Sequence, residues 1–347
     1  MPKPRLLHQY LLLLVLAYSA ASGAAVSDAA AAMARGDYAA AVAAFALGAD
    51  RGDPIAQNNL GVLYLQGKGI GQDYGYARQW FEQAAANGLP GAMHNLGIMH
   101  LRGYGMSKDP IAGARWLEQA ATAGDREAQF FTGLLYYKGE GVGQNYAQAE
   151  VWFTRAADQG VVAAAFNLAV LLLEGQSGHR DEKLALSYLE RFEQQDEQVA
   201  NLLAQVYSQD RQHPLQAARG LELFKRLAEG GYPPAQFQLG MHYVFGPKAT
   251  ANPEEGRFWL QQAARLGSAE AQLNLGNLYL QGIGTSADPV AAYAWYSLAA
   301  ANNDPVAARK VEDLKGKLTE SEIAGAEVTV TALREKHPHA VKEPEPL

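Results

Sequence analysis

The residues of this chain that could carry out chemistry are few and scattered. It has eight histidines and no cysteine, which excludes disulfides, thiolate nucleophiles and thiolate metal sites. His94 and His100 are six residues apart and point to different sides of a helix, while His337 and His339 alone would make a poor metal site. No Gly-x-Ser-x-Gly sequence marks an activated serine. We therefore predict no catalytic residue, no metal site and no cofactor.

Glycine-rich segments are the other candidates for chemistry, because such loops can hold phosphate groups. Residues 67–71 read Gly-Lys-Gly-Ile-Gly, and residues 139–143 read Gly-Glu-Gly-Val-Gly. A dinucleotide-binding loop requires a preceding strand and a third glycine at a fixed offset, and both are missing here. These segments are predicted to be turns between helices.

The glycine segments recur because most of the sequence repeats with a period of 36 residues. Three copies are in register from residue 53 to residue 160, and the fourth is weaker. A fifth copy, around residues 200–231, loses the paired glycines and one residue, and two further copies follow in register. In the first copy the repeated positions are Ala56, Leu60, Gly61, Tyr64, Gly67, Gly69, Asp73, Ala77, Trp80, Ala84, Ala85 and Gly88. The pattern predicts about seven repeats.

Within each repeat the spacing predicts a pair of helices, at about residues 55–65 and 75–87 in the first copy. Asp53 can cap the first helix and Gly67 can end it with a positive φ. Trp80 lies on the packed side of the second helix. One such pair cannot bury its own apolar side, so neighbouring pairs must stack. The predicted fold class is all-α, an α/α superhelical solenoid.

The pattern from Ala56 to Gly88, A-x-x-x-L-G-x-x-Y-x-x-G-x-G-x-x-x-D-x-x-x-A-x-x-W-x-x-x-A-A-x-x-G, resembles the Sel-1-like repeat family, relatives of tetratricopeptide repeats. The resemblance covers about residues 53–303. It implies a right-handed superhelix whose concave side, lined by the first helices, holds protein partners. Exported bacterial members look like adaptors, and some resemble periplasmic immunity proteins that neutralise secreted lipase toxins. One branch, associated with penicillin binding, is rich in cysteine pairs, and this chain departs from it.

The N-terminus has the three-part order of a secretory signal peptide. Lys3 and Arg5 precede an apolar run at residues 10–18, and small residues fill positions 19–25. We expect cleavage between Ala21 and Val26, and hence a periplasmic or secreted protein that is not a lipoprotein, because there is no cysteine to lipidate. The alternative is an uncleaved membrane anchor.

The rest of the chain is divided by its position in the repeat pattern. The predicted segments are a signal peptide at 1–25, a partial repeat or cap at 26–52, the solenoid at 53–303, capping helices at 304–336 and a disordered tail at 337–347. Thr319 and Glu322 have the spacing of a capping box at the start of the last helix.

The formal net charge is -7, and no block of Lys or Arg is present. This balance argues against nucleic acid or a membrane surface as the main partner. A protein partner of unknown identity is therefore predicted, with no stable membrane insertion after cleavage.

The candidate binding surface lies beside the packed side of the first helices, at positions equivalent to 59, 62 and 66. Asn and Gln there can bind a peptide backbone, and Phe or Arg and Lys can act as anchors. Alternatively, the Asn side chains hydrogen-bond the loops of adjacent repeats and shape the superhelix. The predicted partner-binding residues are Asn59, Gln66, Asn95, Arg102, Phe131, Lys138, Asn167, Gln238, Phe245 and Asn274.

The function expected from these features is that of an exported, non-enzymatic scaffold that binds a protein on its concave face. A periplasmic immunity protein against a secreted lipase-type effector is one alternative. An envelope hydrolase or penicillin-interacting enzyme is another, which the absence of cysteine disfavours.

Overall fold

The computed structural model describes residues 24–209, 212–247 and 251–337, and within these ranges the chain forms 18 helices and no strand. This confirms the predicted all-α helix-pair fold. The helices are α1 Ala24–Ala34, α2 Tyr38–Asp50, α3 Pro54–Gln66, α4 Tyr74–Ala86, α5 Pro90–Arg102, α6 Pro110–Thr122, α7 Arg126–Lys138, α8 Tyr146–Asp158, α9 Val162–Glu174, α10 Glu182–Phe192, α11 Glu197–Gln209, α12 Pro214–Glu229, α13 Pro233–Phe245, α14 Pro253–Arg265, α15 Ala269–Gln281, α16 Pro289–Ala301, α17 Pro305–Lys315 and α18 Glu320–Lys336.

The chain divides into a first compact unit that ends at Phe192 and a second that begins at Glu193. Within each unit, consecutive helices pack on each other as far as α17, and α18 packs on α16. We number the repeats by their helix pairs, from repeat 1 (α3 and α4) to repeat 7 (α15 and α16).

The first helix of repeat 1 begins and ends as its sequence predicts. In repeat 1, Asp53 Oδ1 accepts hydrogen bonds from the amides of Ile55 at 2.8 Å and Ala56 at 3.1 Å. Pro54 occupies the first turn, where no amide partner is required. Gly67 ends the helix in the left-handed conformation, with φ of 68°. Asp125 and Ser268 cap α7 and α15 in the same way.

The two helices of a repeat approach closely because a glycine on the first one faces a large side chain on the second. A methyl group at Gly61 would lie 2.8 Å from the Phe81 ring. The pairs Gly133 with Phe153 and Gly276 with Tyr296 repeat this contact in repeats 3 and 7. The tryptophans also have matching surroundings, since Trp80 and Trp116 each pack on the core shared with the preceding helix pair.

Neighbouring repeats make contact through the second loop glycine. Each of these glycines lies against the first residue of the preceding second helix, where a methyl group would collide. The pairs are Gly69 with Tyr38, Gly105 with Tyr74, Gly141 with Pro110 and Gly284 with Pro253. All four glycines have positive φ. The loop therefore requires glycine for both its conformation and its contact with the neighbouring repeat.

A second contact between repeats is made by buried glutamines on the first helices. Gln57 Nε2 donates to the Ala49 carbonyl of α2 at 3.3 Å, and Gln57 Oε1 accepts from Asn87 Nδ2, at the end of α4, at 3.3 Å. One side chain thereby joins three consecutive helices, and we call this arrangement the amide bridge. It recurs as Gln129 with Ala121 and Gln159 in repeat 3, and as Gln272 with Ala264 and Asn302 in repeat 7. In repeat 6, Gln236 keeps the bond to the Ala228 carbonyl.

One repeat is a residue shorter than the others, and the sequence interpretation assigned the missing residue to the wrong repeat. The missing residue lies in repeat 4, because Val161 and Asp196, which precede α9 and α11, are 35 residues apart. Asp196 caps α11 through the Gln198 and Val199 amides at 2.9 and 3.2 Å. The buried equivalent of Ala56 is therefore Val199, and aligning the adjacent Ala200 had shifted the register by one.

Repeat 5 keeps its helix pair, but more of its residues lie in the second helix and fewer in the loop before it. α12 has 16 residues, whereas α4, α6, α8, α14 and α16 have 13 each. The loop before α12 lacks the paired glycines, and its residues 210 and 211 lie outside the described ranges. The second helix of this repeat is thus about one turn longer, at the expense of the loop.

The ends of the array are helical as well. α1 packs on α2, and α18 packs on α16 through a core that includes Ala326 and Val330. The predicted capping box is present, since the Glu322 amide donates to Thr319 Oγ1 and the Thr319 amide donates to Glu322 Oε2. The predicted cleavage region at residues 21–25 reaches the described part of the chain only at its end, where α1 begins. Residues 1–23 of the predicted signal peptide, and all of the predicted tail except His337, lie outside the described residues.

The loop contact gives a first prediction, for Gly141→Ala. The new methyl group would meet the Pro110 carbonyl, and φ of 73° is unfavourable for alanine. We expect the substitution to destabilise the protein by about 2 kcal/mol or more, measured by urea unfolding followed by circular dichroism.

Gly143→Ala in the same loop is the matched control, because nothing lies within 4 Å of its position and its φ is not positive. Equal losses in the two variants would contradict the requirement for a close contact between repeats.

Candidate functional site

The ten predicted binding residues fall into three groups by exposure. Asn59, Asn95, Phe131 and Asn167 are buried, with Asn59 and Asn95 at 0% and Phe131 at 3% exposure. Gln66, Gln238 and Asn274 are partly buried, and Arg102, Lys138 and Phe245 are exposed. The first group lies in the first unit, on α3, α5, α7 and α9.

The buried asparagines are linked from one first helix to the next. Asn95 Nδ2 on α5 donates to Asn58 Oδ1 on α3 at 2.9 Å, and Asn58 Nδ2 donates to Asn59 Oδ1 at 3.2 Å. These bonds correspond to the bracing alternative, although they join helices and not loops. Whether the same side chains also meet a partner remains a prediction.

The sequence predicts Phe131 as an anchor for a partner, but in the structure this side chain is buried. Its ring packs against His94 at a centroid distance of 5.4 Å and against Phe130 at 5.5 Å. Truncating such a buried ring would cost core packing, about 3 to 5 kcal/mol. Phe131→Ala would therefore report mainly on stability and is unsuitable as a test of binding.

The exposed residues share one position, at the last turn of the first helix. Arg102 ends α5 and Lys138 ends α7, two successive first helices of the first unit. In the second unit, Phe245 ends α13 with 59% of its surface exposed, and Gln281 ends α15. The chemistry of this position changes from repeat to repeat, while the cap and glycine positions around it recur.

A buried histidine and a capping aspartate form a polar contact that sequence reasoning missed. His94 on α5 is fully buried, and its Nδ1 lies 3.4 Å from Asp125 Oδ1, the cap of α7. The distance is long for a hydrogen bond, so the attraction is chiefly electrostatic. A signal was present in the sequence, because the equivalent position holds Phe130 in repeat 3 and Phe166 in repeat 4.

The pKa of Asp125 reflects this contact. Burial raises the pKa, but the polar contact with His94, the electrostatic attraction of that ring and the amides of Ala128 and Glu127 together outweigh burial. The net result is a pKa below the ordinary value of 3.8. The carboxylate thus stays ionised as the cap of α7 over a wider pH range.

The described residues contain no group of three His, Asp or Glu side chains that could hold a metal ion. None of the described helices is both long and apolar enough to cross a membrane.

With this geometry established, comparison with known proteins identifies the repeat. The family model described as Sel1 repeat matches six segments, residues 54–89, 90–125, 126–161, 162–196, 233–268 and 269–304. These are the helix pairs of repeats 1 to 4, 6 and 7. The chain belongs to the Sel1 repeat family. Repeat 5, with its lengthened α12, is the helix pair that the Sel1 model leaves unmatched.

Two solved structures are similar to this chain. A Sel1 repeat protein from Oxalobacter formigenes is 27% identical, with 84% of this chain and 90% of that chain covered and a TM-score of 0.63. The protein c5321, a protective antigen present in uropathogenic Escherichia coli strains and displaying an SLR fold, is 27% identical, with coverages of 90% and 76% and a TM-score of 0.48. The search of curated proteins gives no match. Sel1 repeat proteins generally mediate interactions between proteins.

The Asp125 contact gives a prediction about pH. The folded pKa is lowered, so the ionised carboxylate contributes stability above the ordinary pKa of 3.8, and this contribution is lost as the pH falls through the lower folded pKa. Asp125→Asn keeps a capping side chain but removes the charge. We expect the variant to melt below wild type at pH 7, with a gap that narrows as the pH falls below 3.8.

The control is the same substitution in a His94→Phe background, which places at this position the residue type found at Phe130 and Phe166. There the gap should be smaller at pH 7, since the partner of the carboxylate has been removed. A gap that stays constant from about pH 7 to pH 3 would contradict the proposed pairing.

Proposed function

We propose that this protein is an exported scaffold that binds a protein partner on the concave side of its Sel1 repeats and performs no catalysis itself. One observation carries the proposal: the exposed position at the end of the first helices varies in chemistry while the packed positions recur. Residues repeated in every unit serve the fold, whereas departures at an exposed position are suited to a specific partner.

The positive charge at this position in the first unit indicates that the partner presents an acidic surface. Arg102 and Lys138 are exposed at equivalent positions of adjacent repeats in a chain whose net charge is -7. Two cations held in register by the repeat would attract an acidic segment and orient it along the first helices. In the second unit, the exposed ring of Phe245 offers an apolar contact of the kind that anchors interfaces.

We propose export because the N-terminus carries positive charges, then an apolar run and then small residues, in the order of a signal peptide. We expect the mature protein recovered from its native host to begin between Ala21 and Val26, as read by N-terminal sequencing. A full-length protein in the cytoplasmic or membrane fraction would overturn this part of the proposal.

The binding proposal is tested by a photo-crosslinking amino acid at Lys138 in the native host, followed by mass spectrometry. The captured protein is then purified and its affinity is measured. Arg102→Glu with Lys138→Glu should weaken binding about tenfold or more, with a smaller difference at high salt, because charge attraction is lost. Helicity and melting should be unchanged, since both side chains are exposed.

The matched control is Lys108→Glu with Lys183→Glu. It makes the same charge change at exposed positions that are not at the end of a first helix. Equal weakening by the two double variants would show attraction by net charge alone and refute a specific surface. A captured effector whose toxicity is relieved by co-expression would narrow the role to immunity, whereas hydrolysis of a β-lactam by the pure protein would refute a non-catalytic scaffold.

A further inference from the structure

The inner side of the first helices is covered in the first unit and more open in the second. Asn59 shows where this side lies, because Gly61, two residues further on, faces the Phe81 ring of α4. Two residues correspond to a rotation of about 200° around a helix, so Asn59 points away from α4. The residues at this position in repeats 1 to 4 form what we call the inner row: Asn59, Asn95, Phe131 and Asn167.

The inner row is buried at all four positions, with exposed fractions of 0 to 3%. None of its side chains is without a partner. In the second unit the equivalent residues, Gln238 and Asn274, are partly exposed. Their helices have the same design, since Gly240 and Gly276 also face the second helix of their repeat. The deeper burial in the first unit therefore indicates a surface that a further segment covers.

The chemistry of this surface favours an uncharged apolar segment. Three residues beyond the inner row, the first helices of repeats 1 to 4 carry a second row of apolar and buried side chains, Val62, Ile98, Leu134 and Val170. The three asparagines of the inner row can donate to and accept from a peptide backbone. Charged residues lie at the edges of the surface, at Arg102, Glu127, Lys138 and Glu174. A charged side chain seated between the two rows would lose its hydration.

The chain carries a segment of this kind close to the surface. Residues 10–18, which we call the leader segment, read Tyr-Leu-Leu-Leu-Leu-Val-Leu-Ala-Tyr and contain no charge. They lie outside the described residues, which begin with α1, and α1 packs on α2 and also contacts α3. Nine residues can extend over about 30 Å. Four first helices at a spacing of about 8 to 10 Å span about 27 Å, so the leader segment is long enough to follow the inner row.

We propose that the leader segment of the uncleaved chain occupies the inner side of the first unit, against the inner row, and that cleavage frees this surface for the protein partner. The inference rests on the proposed function, because it assigns two successive occupants to the same concave side. Before cleavage the leader segment is an intramolecular ligand and competes at a high effective concentration. The uncleaved chain is thereby kept from binding its partner before export.

Introduced thiols report on this surface, because the chain has no cysteine of its own. Asn59→Cys and Asn167→Cys are compared in the full-length chain and in the mature chain from the native host, by the rate of reaction with a maleimide. Both variants are first checked for wild-type melting. We expect both thiols to react about tenfold or more slowly in the full-length chain, because reaction then requires local opening.

Two further thiols are the matched controls. Ala84→Cys, at a fully buried position of α4, should stay unreactive in both forms. Ala147→Cys, at an exposed position of α8, should react equally fast in both. Equal rates in the two forms at Asn59→Cys and at Asn167→Cys would overturn the proposal.

A variant of the leader segment provides a test that does not depend on cleavage. Leu13→Asn with Leu14→Asn in the full-length chain should raise the reaction rate of Asn59→Cys towards that of the mature chain, because apolar contacts are lost. A synthetic peptide of residues 3–18, which includes Lys3 and Arg5 for solubility, should slow the reaction in the mature chain. The same peptide with the two asparagines should leave the rate unchanged.

The two proposals fail in different ways. If the inner-row thiols react equally in both forms while charge reversal at Arg102 and Lys138 weakens partner binding, the leader proposal is wrong and the scaffold proposal stands. If the thiols are protected in the full-length chain but crosslinking at Lys138 captures no partner, the scaffold proposal fails and the leader proposal stands. When both are correct, the full-length chain binds the captured partner about tenfold or more weakly than the mature chain does.

Discussion

Close contact between the backbones of neighbouring repeats is the constraint on which the stacking of helix pairs depends. The loop of one repeat lies against the start of the preceding second helix, and only glycine fits at Gly69, Gly105, Gly141 and Gly284. The left-handed conformation of these residues is a second, independent reason for glycine. A single residue type thus fixes both the shape of the loop and the spacing of the repeats. The glycines that first resemble a phosphate-binding loop are explained by this contact.

The amide bridge fixes the relative rotation of the closely packed helices. Apolar contacts between alanine-rich helices are compatible with several relative rotations, whereas Gln129 must meet both the Ala121 carbonyl and the side chain of Gln159. Buried polar groups are costly unless they are paired, so this geometry disfavours other arrangements. Repeat 2 lacks the bridge, and other polar contacts join it to its neighbours, Asn95 to Asn58 and His94 to Asp125.

Much of the fold could be predicted from the sequence, because the same capping and packing residues recur every 36 positions. Caps such as Asp53 and terminators such as Gly67 act locally, and local signals can be read without knowing the neighbours. The position of the missing residue could not be read in this way. In an alanine-rich segment, Ala200 fits the pattern as well as Val199 does, and both residues are fully buried. The cap at Asp196 was the local signal that decided the register.

The candidate site was predicted less completely, for a physical reason. Helical periodicity gives the side of a helix on which a residue lies, but it does not give the distance to the next helix. Asn59 and Arg102 were therefore placed on one surface, although the first is buried and the second is exposed. The bridging glutamines were overlooked because they recur in only some repeats, as Gln57, Gln129, Gln236 and Gln272.

A repeat protein can vary only where its stacking does not depend on the residue. The loop glycines and the caps are held by contacts within and between repeats, so a change there is opposed by a loss of stability. The last turn of a first helix is exposed at Arg102 and Lys138 in the first unit, and at Phe245 in the second. Specific recognition in such an array is therefore expected where the repeat pattern is broken without loss of the fold.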